Sequence, residues 1–155
     1  MSIIVIADTH GNTSAAIEAI EREQEVTTII HLGDCATDGE ILQYSYSIPV
    51  IGVAGNCDST SDLPREIIIE IGGAQVLITH GHLHGVKKSL NTLIAHATRE
   101  NCDLVLFGHT HQATVLEETG ILLVNPGTLK EDSEILSYAR LDIENCRIVA
   151  TIVIL

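Results

Sequence analysis

Aromatic residues are scarce in this 155-residue sequence, which has no Trp, one Phe and three Tyr. Hydrophobic residues still make up 45% of the chain, so the core must be aliphatic, built from Ile, Val and Leu. A chain of this size can bury roughly 70% of the surface that it exposes when unfolded, and it needs no disulfide or metal merely to fold. We therefore expect residues 1–155 to form a single domain.

Basic residues are also few, because 8 Lys and Arg stand against 21 Asp and Glu and give a formal net charge of −13. Proteins that bind nucleic acids or anionic membranes carry a basic surface that replaces counterions. A nuclease for long polymers should show a basic track, whereas the eight basic residues are dispersed along the chain. The composition therefore argues against long nucleic acids and membranes as partners.

Long apolar runs are missing as well. The longest ones, such as 2–7 and 149–155, fall far short of the roughly 20 residues that a membrane span needs. The first residues show no basic patch followed by a hydrophobic stretch, so we expect no secretory signal. The sequence has four cysteines without a CxxC spacing: Cys35, Cys57, Cys102 and Cys146. These features favour reduced thiols and a cytoplasmic location.

Short runs rich in β-branched residues recur along the chain, each bounded by Gly, Pro, Asn or Asp, which is typical of strands. The predicted strands are 3–7, 28–32, 50–53, 67–71, 76–79, 104–107, 113–117, 121–124, 135–143 and 147–155. Near-continuous apolar runs such as 3–6 indicate strands that are covered on both faces.

Apolar residues repeat at a spacing of three or four in 13–24 and 89–100, which predicts two amphipathic helices. Thr13 is the predicted cap of the first one. A shorter helix is predicted near 40–46. Strands and helices alternate in the first half, which indicates right-handed parallel crossovers. The second half has hairpin turns at 72–73, 119–120 and 144–145. We therefore predict an α/β fold in which two mixed sheets pack face to face with helices outside.

Five of the predicted strands end in polar, glycine-flanked segments that can bind metal. Their metal-capable side chains are Asp8, His10, Asp34, Asn56, His80, His109 and His111. Ligand sites of open α/β sheets lie beyond the carboxyl ends of the strands, so these segments can converge. Two pairs are spaced two residues apart, Asp8 with His10 and His109 with His111. On an extended chain this spacing points both side chains the same way, so each pair can reach one centre.

The mixture of imidazole, carboxylate and amide suits Mn, Fe, Co, Ni or Zn, and affinity order does not choose among them. Seven ligands are too many for one ion and enough for two. Two divalent ions beside only two carboxylates, Asp8 and Asp34, leave a local charge of about +2. Such a site attracts an anion even though the whole chain is acidic, and it lowers the pKa of a bound water. The ligand set therefore predicts metal-assisted phosphoester hydrolysis.

These motifs resemble the calcineurin-like metallophosphoesterase superfamily, whose pattern of Asp-x-His, Gly-Asp, Gly-Asn-[His/Cys]-[Asp/Glu], His and Gly-His-x-His is complete and in order between residues 8 and 111. Segments 55–58, 79–82 and 125–128 resemble its small YfcE-like branch of phosphodiesterases. The resemblance implies a four-layer α/β/β/α sandwich and two divalent transition-metal ions, with Mn expected first and Ni, Zn, Fe or Co as alternatives.

The resemblance also implies how the ligands are divided. One ion would take Asp8, His10, Asp34 and His111, and the other Asp34, Asn56, His80 and His109. Asp34 would bridge the ions together with a water or hydroxide that serves as the nucleophile.

One position departs from the commonest form of the family, because Cys57 stands where many members have His. A thiol is a poor substitute for a protonated imidazole at neutral pH, so we expect diesters or activated esters as substrates. His82 is the candidate that replaces the missing acid. Asp58 is the second candidate catalytic residue, expected to orient the loop that carries Asn56, with a plain turn aspartate as the alternative.

Other polar residues receive smaller roles. His31 is expected to pack under the site or to hydrogen-bond a ligand rather than to bind metal. Lys87 and Lys88 are expected to lie at a solvated helix start, with contact to the substrate phosphate as the alternative. His84 and His96 are expected on the surface without a role.

The main alternative to a small-phosphodiester hydrolase is a non-catalytic metal-binding scaffold of the same fold, like the retromer subunit. Such a relative can lose histidines of the site, whereas all seven ligands are present here, which favours the enzyme. Few residues remain for a lid, so the site should be open. The C-terminal strands could also pair across an edge in a homodimer.

Overall fold

The computed structural model describes residues 2–144 and 147–155. Asn145 of the predicted 144–145 turn and Cys146 lie outside these residues. The strands are β1 Ser2–Ile6, β2 Val26–His31, β3 Val50–Gly52, β4 Glu66–Ile71, β5 Ala74–Thr79, β6 Leu104–Leu106, β7 Thr114–Glu118, β8 Ile121–Asn125, β9 Ser137–Glu144 and β10 Arg147–Ile154. The helices are α1 Thr13–Arg22, α2 Thr37–Tyr46 and α3 Asn91–Arg99, and a 3₁₀ turn covers His82–His84. Every predicted strand and helix is present, with ends that agree to within three residues.

The strands form two five-stranded sheets with the orders β10-β9-β1-β2-β3 and β4-β5-β6-β8-β7. In the first sheet β1, β2 and β3 run parallel. Strand β9 pairs antiparallel with β1, and β10 pairs antiparallel with β9. In the second sheet β5, β6 and β8 run parallel, while β4 and β7 join as hairpins. The predicted mixture of crossovers and hairpins is therefore confirmed.

The two sheets pack face to face, and alternate side chains of each strand enter different layers. In β1, Ile3 and Val5 meet Val76 and Ile78 of β5 between the sheets. The intervening side chains of β1 pack against α1 and α2, and the outer face of β5 and β6 packs against α3. The result is the expected four-layer α/β/β/α sandwich with an aliphatic core.

Helix α1 is capped differently from the prediction. Thr13 is already the first helical residue, so the predicted cap was wrong. The side chain of Asn12 accepts a hydrogen bond from the amide of Ala15 at 3.3 Å and donates one to the carbonyl of Leu129 at 2.8 Å. A cap must precede the helix and keep a non-helical backbone, which is the position that Asn12 occupies.

The parallel strands of both sheets deliver their following loops to one edge of the sandwich. Loops after β1, β2 and β3 come from the first sheet, and loops after β5 and β6 come from the second. Within the described parts of the chain, no helix is both long and apolar enough to cross a membrane. That residues 1–155 form a single domain stays a prediction.

Candidate metal centre

The structure brings all seven predicted ligands together at this edge, and we call them the candidate centre. Ligand atoms of Asp8, His10 and His111 lie within 4.8 Å of one another, and so do those of Asp34, His80 and His109. The two groups adjoin, because His10 Nε2 lies 3.6 Å from Asp34 Oδ2 and His80 Nε2 lies 3.9 Å from Asp8 Oδ1. Asn56 Oδ1 is 3.1 Å from His80 Nε2. That these atoms bind ions stays a prediction.

Backbone geometry in the centre differs from the extended pairs that the spacing argument assumed. Five of the seven residues have left-handed backbones, with φ between 46° and 70°: Asp8, His10, Asp34, His109 and His111. Both members of the second pair reach the candidate centre, but His109 joins one group and His111 the other. Left-handed residues other than glycine cost about 1–3 kcal/mol each and cluster at functional sites. The concentration of strain here therefore indicates a functional site.

Asp8 is fully buried beneath the centre. Its Oδ2 accepts a hydrogen bond from the amide of His109 at 3.0 Å. Its Oδ1 is buried without a hydrogen bond from any described residue and lies 3.2 Å from His111 Nε2. Burial, followed by the charge of Asp34, raises the pKa of Asp8 to about 7. A buried carboxylate oxygen of this kind lacks a positive partner, which a metal ion would provide.

His80 gives the second indication that a cation belongs here. Its Nδ1 lies 2.7 Å from the carbonyl of Leu32, so this nitrogen carries the hydrogen. Burial lowers the pKa of His80 to about 4, which makes the ring neutral and leaves a lone pair on Nε2. That lone pair faces Asn56 Oδ1 at 3.1 Å and Asp34 Oδ1 at 3.5 Å. His109 Nδ1 also lies 3.1 Å from this nitrogen, so the atoms of four side chains converge on one point in the way that the ligands of a cation do.

Two glycines allow Asp34 to reach this position. Gly33 and Gly55 touch, because a Cβ on Gly33 would lie 2.5 Å from the amide nitrogen of Gly55. A Cβ on Gly55 would come within 2.2 Å of Asp34 Oδ1. The same oxygen accepts a hydrogen bond from the amide of Cys57 at 2.9 Å. The loops after β2 and β3 are therefore locked together around the Asp34 carboxylate.

Asp58 fastens the same two loops. Its Oδ2 accepts from the amides of Asp34 and Gly55, and its Oδ1 from those of Cys35 and Ala36, all at 2.8–2.9 Å. Partial burial alone would raise the pKa of Asp58, but these four bonds hold it below its usual value. Both oxygens are committed to the backbone. The geometry therefore favours the orienting role predicted for Asp58 over a plain turn residue, and it makes Asp58 a positioning residue.

A buried network under the loop after β1 includes two residues that sequence reasoning missed, Thr9 and Asp38. The Thr9 hydroxyl donates to Asp38 Oδ2 at 2.6 Å and lies 3.1 Å from Nε2 of His31. Asp38 Oδ2 also accepts from the amide of Gly11, and His31 Nδ1 accepts from the amide of Gly33. His31 thus packs under the site and bonds Thr9. Asp38 lies 29 positions from Thr9, and no local pattern joins them.

His82 lies beside the centre, as expected for a residue that meets the substrate. Its ring centroid is 5.3 Å from that of His80 and 6.1 Å from that of His109. Its Nδ1 is buried without a hydrogen bond from the described residues. Burial and then the charge of Arg65 lower the pKa of His82, so the imidazole is neutral at pH 7 when no substrate is present.

Two further side chains near the centre bear on its chemistry. Cys57 is exposed, and desolvation and neighbouring carboxylates raise the pKa of its thiol, which stays protonated at neutral pH. The exposed ammonium of Lys87 contributes, after burial, to lowering the pKa of His109 and His111. Lys87 is therefore close enough to attract an anion that enters the centre.

Two open clefts adjoin the centre. One, of about 550 Å³, has His10 and Cys57 in its wall together with hydroxyls of Thr37, Thr60 and Ser61. The other, of about 370 Å³, is lined by His111, Thr110, Thr128 and Ser133, among others. The centre is thus reached from solvent through two open clefts, which agrees with the expected open site.

Comparison with known proteins places this geometry in a family. A model of the calcineurin-like phosphoesterase superfamily domain matches residues 1–146. The probable metallophosphoesterase YsnB of Bacillus subtilis is 34% identical over 148 residues, which cover 94% of this chain and 86% of YsnB. Phosphodiesterase MJ0936 of Methanocaldococcus jannaschii is 31% identical over 144 residues, which cover 82% of this chain and 83% of the relative.

Solved structures share the same fold. Vps29 of Entamoeba histolytica, crystallised with Zn²⁺, superposes with a TM-score of 0.80 at 20% identity, and the match covers 99% of each chain. At this identity the likeness shows the fold alone.

Proposed function

Because the chain belongs to the calcineurin-like phosphoesterase superfamily, we propose that it is a phosphodiesterase that hydrolyses small phosphodiesters at a dinuclear metal centre. The observation that carries the proposal is the convergence of His80 Nε2 with the oxygens of Asn56 and Asp34, an arrangement of donor atoms that a bound cation would stabilise. The buried, unbonded Oδ1 of Asp8 supports a second ion beside the first.

The donor set fits two divalent ions. Asp8, His10, Asp34 and His111 would hold one, and Asp34, Asn56, His80 and His109 the other. When bound, the ions would polarise the phosphate and lower the pKa of an attacking water toward neutrality. We propose Mn first, with Ni, Zn, Fe and Co as alternatives, since mixed nitrogen and oxygen ligands suit all of them.

The chain's own residues hold the ligand-bearing loops in place and attract the substrate. Asp58 fixes the loops that carry Asp34 and Asn56, and Thr9 fixes the loop that carries Asp8 and His10. Lys87 attracts the anionic substrate. The two carboxylates of the centre leave it positive when loaded, so a phosphate diester is drawn in although the chain carries a net charge of −13.

His82 is the proposed partner of the leaving group. Its lowered pKa keeps the imidazole neutral when no substrate is bound, but an anion bound beside it would raise this pKa and favour the protonated ring. The Cys57 thiol cannot serve as this acid at neutral pH because its pKa is raised. A His82→Ala enzyme should therefore lose activity on esters with poor leaving groups and retain it on nitrophenyl esters. If His82→Ala and the wild-type protein hydrolyse esters with poor leaving groups at equal rates, His82 has no role in the mechanism.

The clefts favour diesters over monoesters. A diester carries one organic group on each side of its phosphate, and the cleft beside His10 and the cleft beside His111 can each receive one. Both clefts are open, so we propose small substrates and modest selectivity. The acidic surface supports the proposal that long nucleic acids and membranes are not partners, and we propose a cytoplasmic location.

The experiment uses protein stripped of metal by chelation and then supplied with Mn²⁺, Ni²⁺, Zn²⁺ or Mg²⁺. We expect metal-restored hydrolysis of bis(p-nitrophenyl) phosphate, faster than that of p-nitrophenyl phosphate, and its loss in Asp34→Asn. Asp142→Asn is the matched control, because Asp142 pairs with Ser2 at the opposite edge of the first sheet. Tight binding of ions without hydrolysis by any of them would instead support a scaffold like Vps29, whose fold this chain shares.

A further inference from the structure

Away from the candidate centre, Glu66, His84 and His96 meet in a second group, which we call the β4–α3 cluster. Glu66 begins β4, His84 ends the 3₁₀ turn and His96 lies in α3. His84 Nε2 is 2.7 Å from Glu66 Oε2, and His96 Nε2 is 3.0 Å from Glu66 Oε1. The two histidines, expected on the surface without a role, therefore share one carboxylate.

The side chains are arranged as a converging set of ligands. The imidazole rings of His84 and His96 stack with centroids 5.0 Å apart and planes inclined by 23°. The ligand atoms of all three residues lie within 4.8 Å of one another. Each side chain is largely shielded, with exposed fractions of 11% for His84, 16% for His96 and 31% for Glu66. An ion held here would be partly desolvated but still reachable from solvent.

We propose that Glu66, His84 and His96 form a third metal site, separate from the candidate centre, which takes Zn²⁺ or a similar divalent transition ion. Two imidazoles and one carboxylate, with a fourth position left for water, are a ligand set that zinc adopts in proteins. Oxygen-preferring ions such as Mg²⁺ and Ca²⁺ are disfavoured by the two nitrogen ligands.

Binding would change the tautomers of both histidines. Without metal, both Nε2 atoms carry hydrogens, because each faces an oxygen of the Glu66 carboxylate, which only accepts. An ion would take the place of these two hydrogens, and each neutral ring would carry its hydrogen on Nδ1 instead. In His96 the new Nδ1 hydrogen would face the Arg99 guanidinium, which now donates to that nitrogen at 2.9 Å, so this hydrogen bond would have to break.

The ion would act as a staple near the candidate centre. It would tie the start of β4, the 3₁₀ turn and α3 to one another. His82 belongs to the same 3₁₀ turn as His84, two residues earlier in the chain. A metal at the β4–α3 cluster therefore holds the segment that places the His82 ring against His80 and His109.

The first experiment counts zinc per chain by equilibrium dialysis and elemental analysis. We expect three equivalents in the wild-type protein and two in Glu66→Gln. Glu70→Gln makes the same change at an exposed position of the same strand and should keep three. Asp34→Asn, which damages the candidate centre, should still bind the one zinc equivalent that Glu66→Gln loses.

The design separates the two proposals. If the centre binds no ions, wild-type protein still binds one equivalent that Glu66→Gln removes. If the third site does not exist, Glu66→Gln and Glu70→Gln bind equal amounts of zinc, whatever the centre does, and the inference is overturned.

A second measurement requires no substitution at all. Nitrogen NMR of the imidazoles should show His84 and His96 changing from the Nε2-protonated to the Nδ1-protonated tautomer as Zn²⁺ is added to the wild-type protein. If both rings keep their tautomers at saturating zinc, the proposal is overturned.

Discussion

The candidate centre and the β4–α3 cluster use similar side chains in opposite ways. The centre is built on left-handed loops, and no described residue gives a hydrogen bond to Asp8 Oδ1. The β4–α3 cluster stands on regular elements, and both oxygens of Glu66 accept hydrogen bonds from imidazoles. None of its three residues has a positive φ.

The difference indicates what each group requires. The centre stores backbone strain and brings electron-rich atoms close together, an arrangement that bound cations would stabilise. The β4–α3 cluster is satisfied when empty, and an ion there must displace existing hydrogen bonds. We therefore expect the centre to be the more sensitive to substitution and the β4–α3 cluster to be the weaker metal site.

The largest effect is expected from Gly55→Ala. The added methyl would come within 2.2 Å of Asp34 Oδ1 and push this carboxylate out of place. Displacing a catalytic group by about 1 Å costs about 100-fold, so metal-dependent diester hydrolysis should fall at least that much. Zinc binding at the β4–α3 cluster should not change.

The control for this substitution is Gly120→Ala, at a turn where a Cβ would have no neighbour within 4 Å. It should keep full activity, although its positive φ costs some stability. Steady-state kinetics on bis(p-nitrophenyl) phosphate measure both variants. Full activity in Gly55→Ala would mean that the position of Asp34 is unimportant.

Asp58→Asn should have the next largest effect. The side-chain amide of Asn carries N–H donors, and these would face backbone N–H groups that now donate to a carboxylate. This clash of donors should lower the unfolding free energy by about 2 kcal/mol. Because the pKa of Asp58 is lowered on folding, its contribution is complete above the unfolded value of 3.8 and is lost as the pH falls through the lower folded value.

Urea denaturation at several pH values tests this. The difference in unfolding free energy between the wild-type protein and Asp58→Asn should be constant above about pH 5. It should shrink below the unfolded-state pKa of 3.8. Asp62→Asn, the same change at an exposed position nearby, should unfold like the wild-type protein. A difference that grows in acid would refute the role given to the four backbone bonds.

Thr9→Val should have a moderate effect on stability and on metal binding at the candidate centre, and it should not affect the β4–α3 cluster. Loss of the hydroxyl leaves the buried Nε2 hydrogen of His31 without an acceptor and removes one donor from Asp38. We expect a loss of about 1.5 kcal/mol in unfolding free energy and weaker metal binding by the loop that carries Asp8 and His10. Thr27→Val removes an exposed hydroxyl from β2 of the same sheet and should cost less than about 0.5 kcal/mol. Equal losses in the two variants would show that the buried network does not support the centre.

Arg99→Gln is expected to have the smallest effect and the opposite sign. The Arg99 guanidinium donates to His96 Nδ1 at 2.9 Å and so favours the tautomer that cannot bind metal through Nε2. Removing this one hydrogen bond, worth about 1 kcal/mol, should strengthen zinc binding at the β4–α3 cluster about fivefold. Zinc titration of the wild-type protein, Arg99→Gln and the distant exposed Arg22→Gln measures the change. Weaker binding in Arg99→Gln would contradict the tautomer argument.

Much of the fold follows from the sequence, because aliphatic runs bounded by turn residues mark each strand. Five glycine-flanked polar segments follow strands, and parallel topology brings such segments to one edge. This is why the sequence alone predicts that Asp8, Asp34 and His80 lie together.

Other features depend on contacts between residues with no common local pattern. Asp38 reaches Thr9 from a helix that the periodicity barely predicts, and the β4–α3 cluster joins a strand, a turn and a helix. The left-handed backbone of His109 is also invisible in a spacing argument that assumes an extended chain. Tertiary packing sets these features, and only the structure reveals them.

The most direct test of the candidate centre is a crystal of the protein grown with Mn²⁺ and measured at the manganese absorption edge. We predict two anomalous peaks about 3.5–4 Å apart, the separation of two-metal hydrolytic sites. One should lie among Asp8, His10, Asp34 and His111, and the other among Asp34, Asn56, His80 and His109. Manganese-loaded crystals without a peak between these side chains would contradict the account.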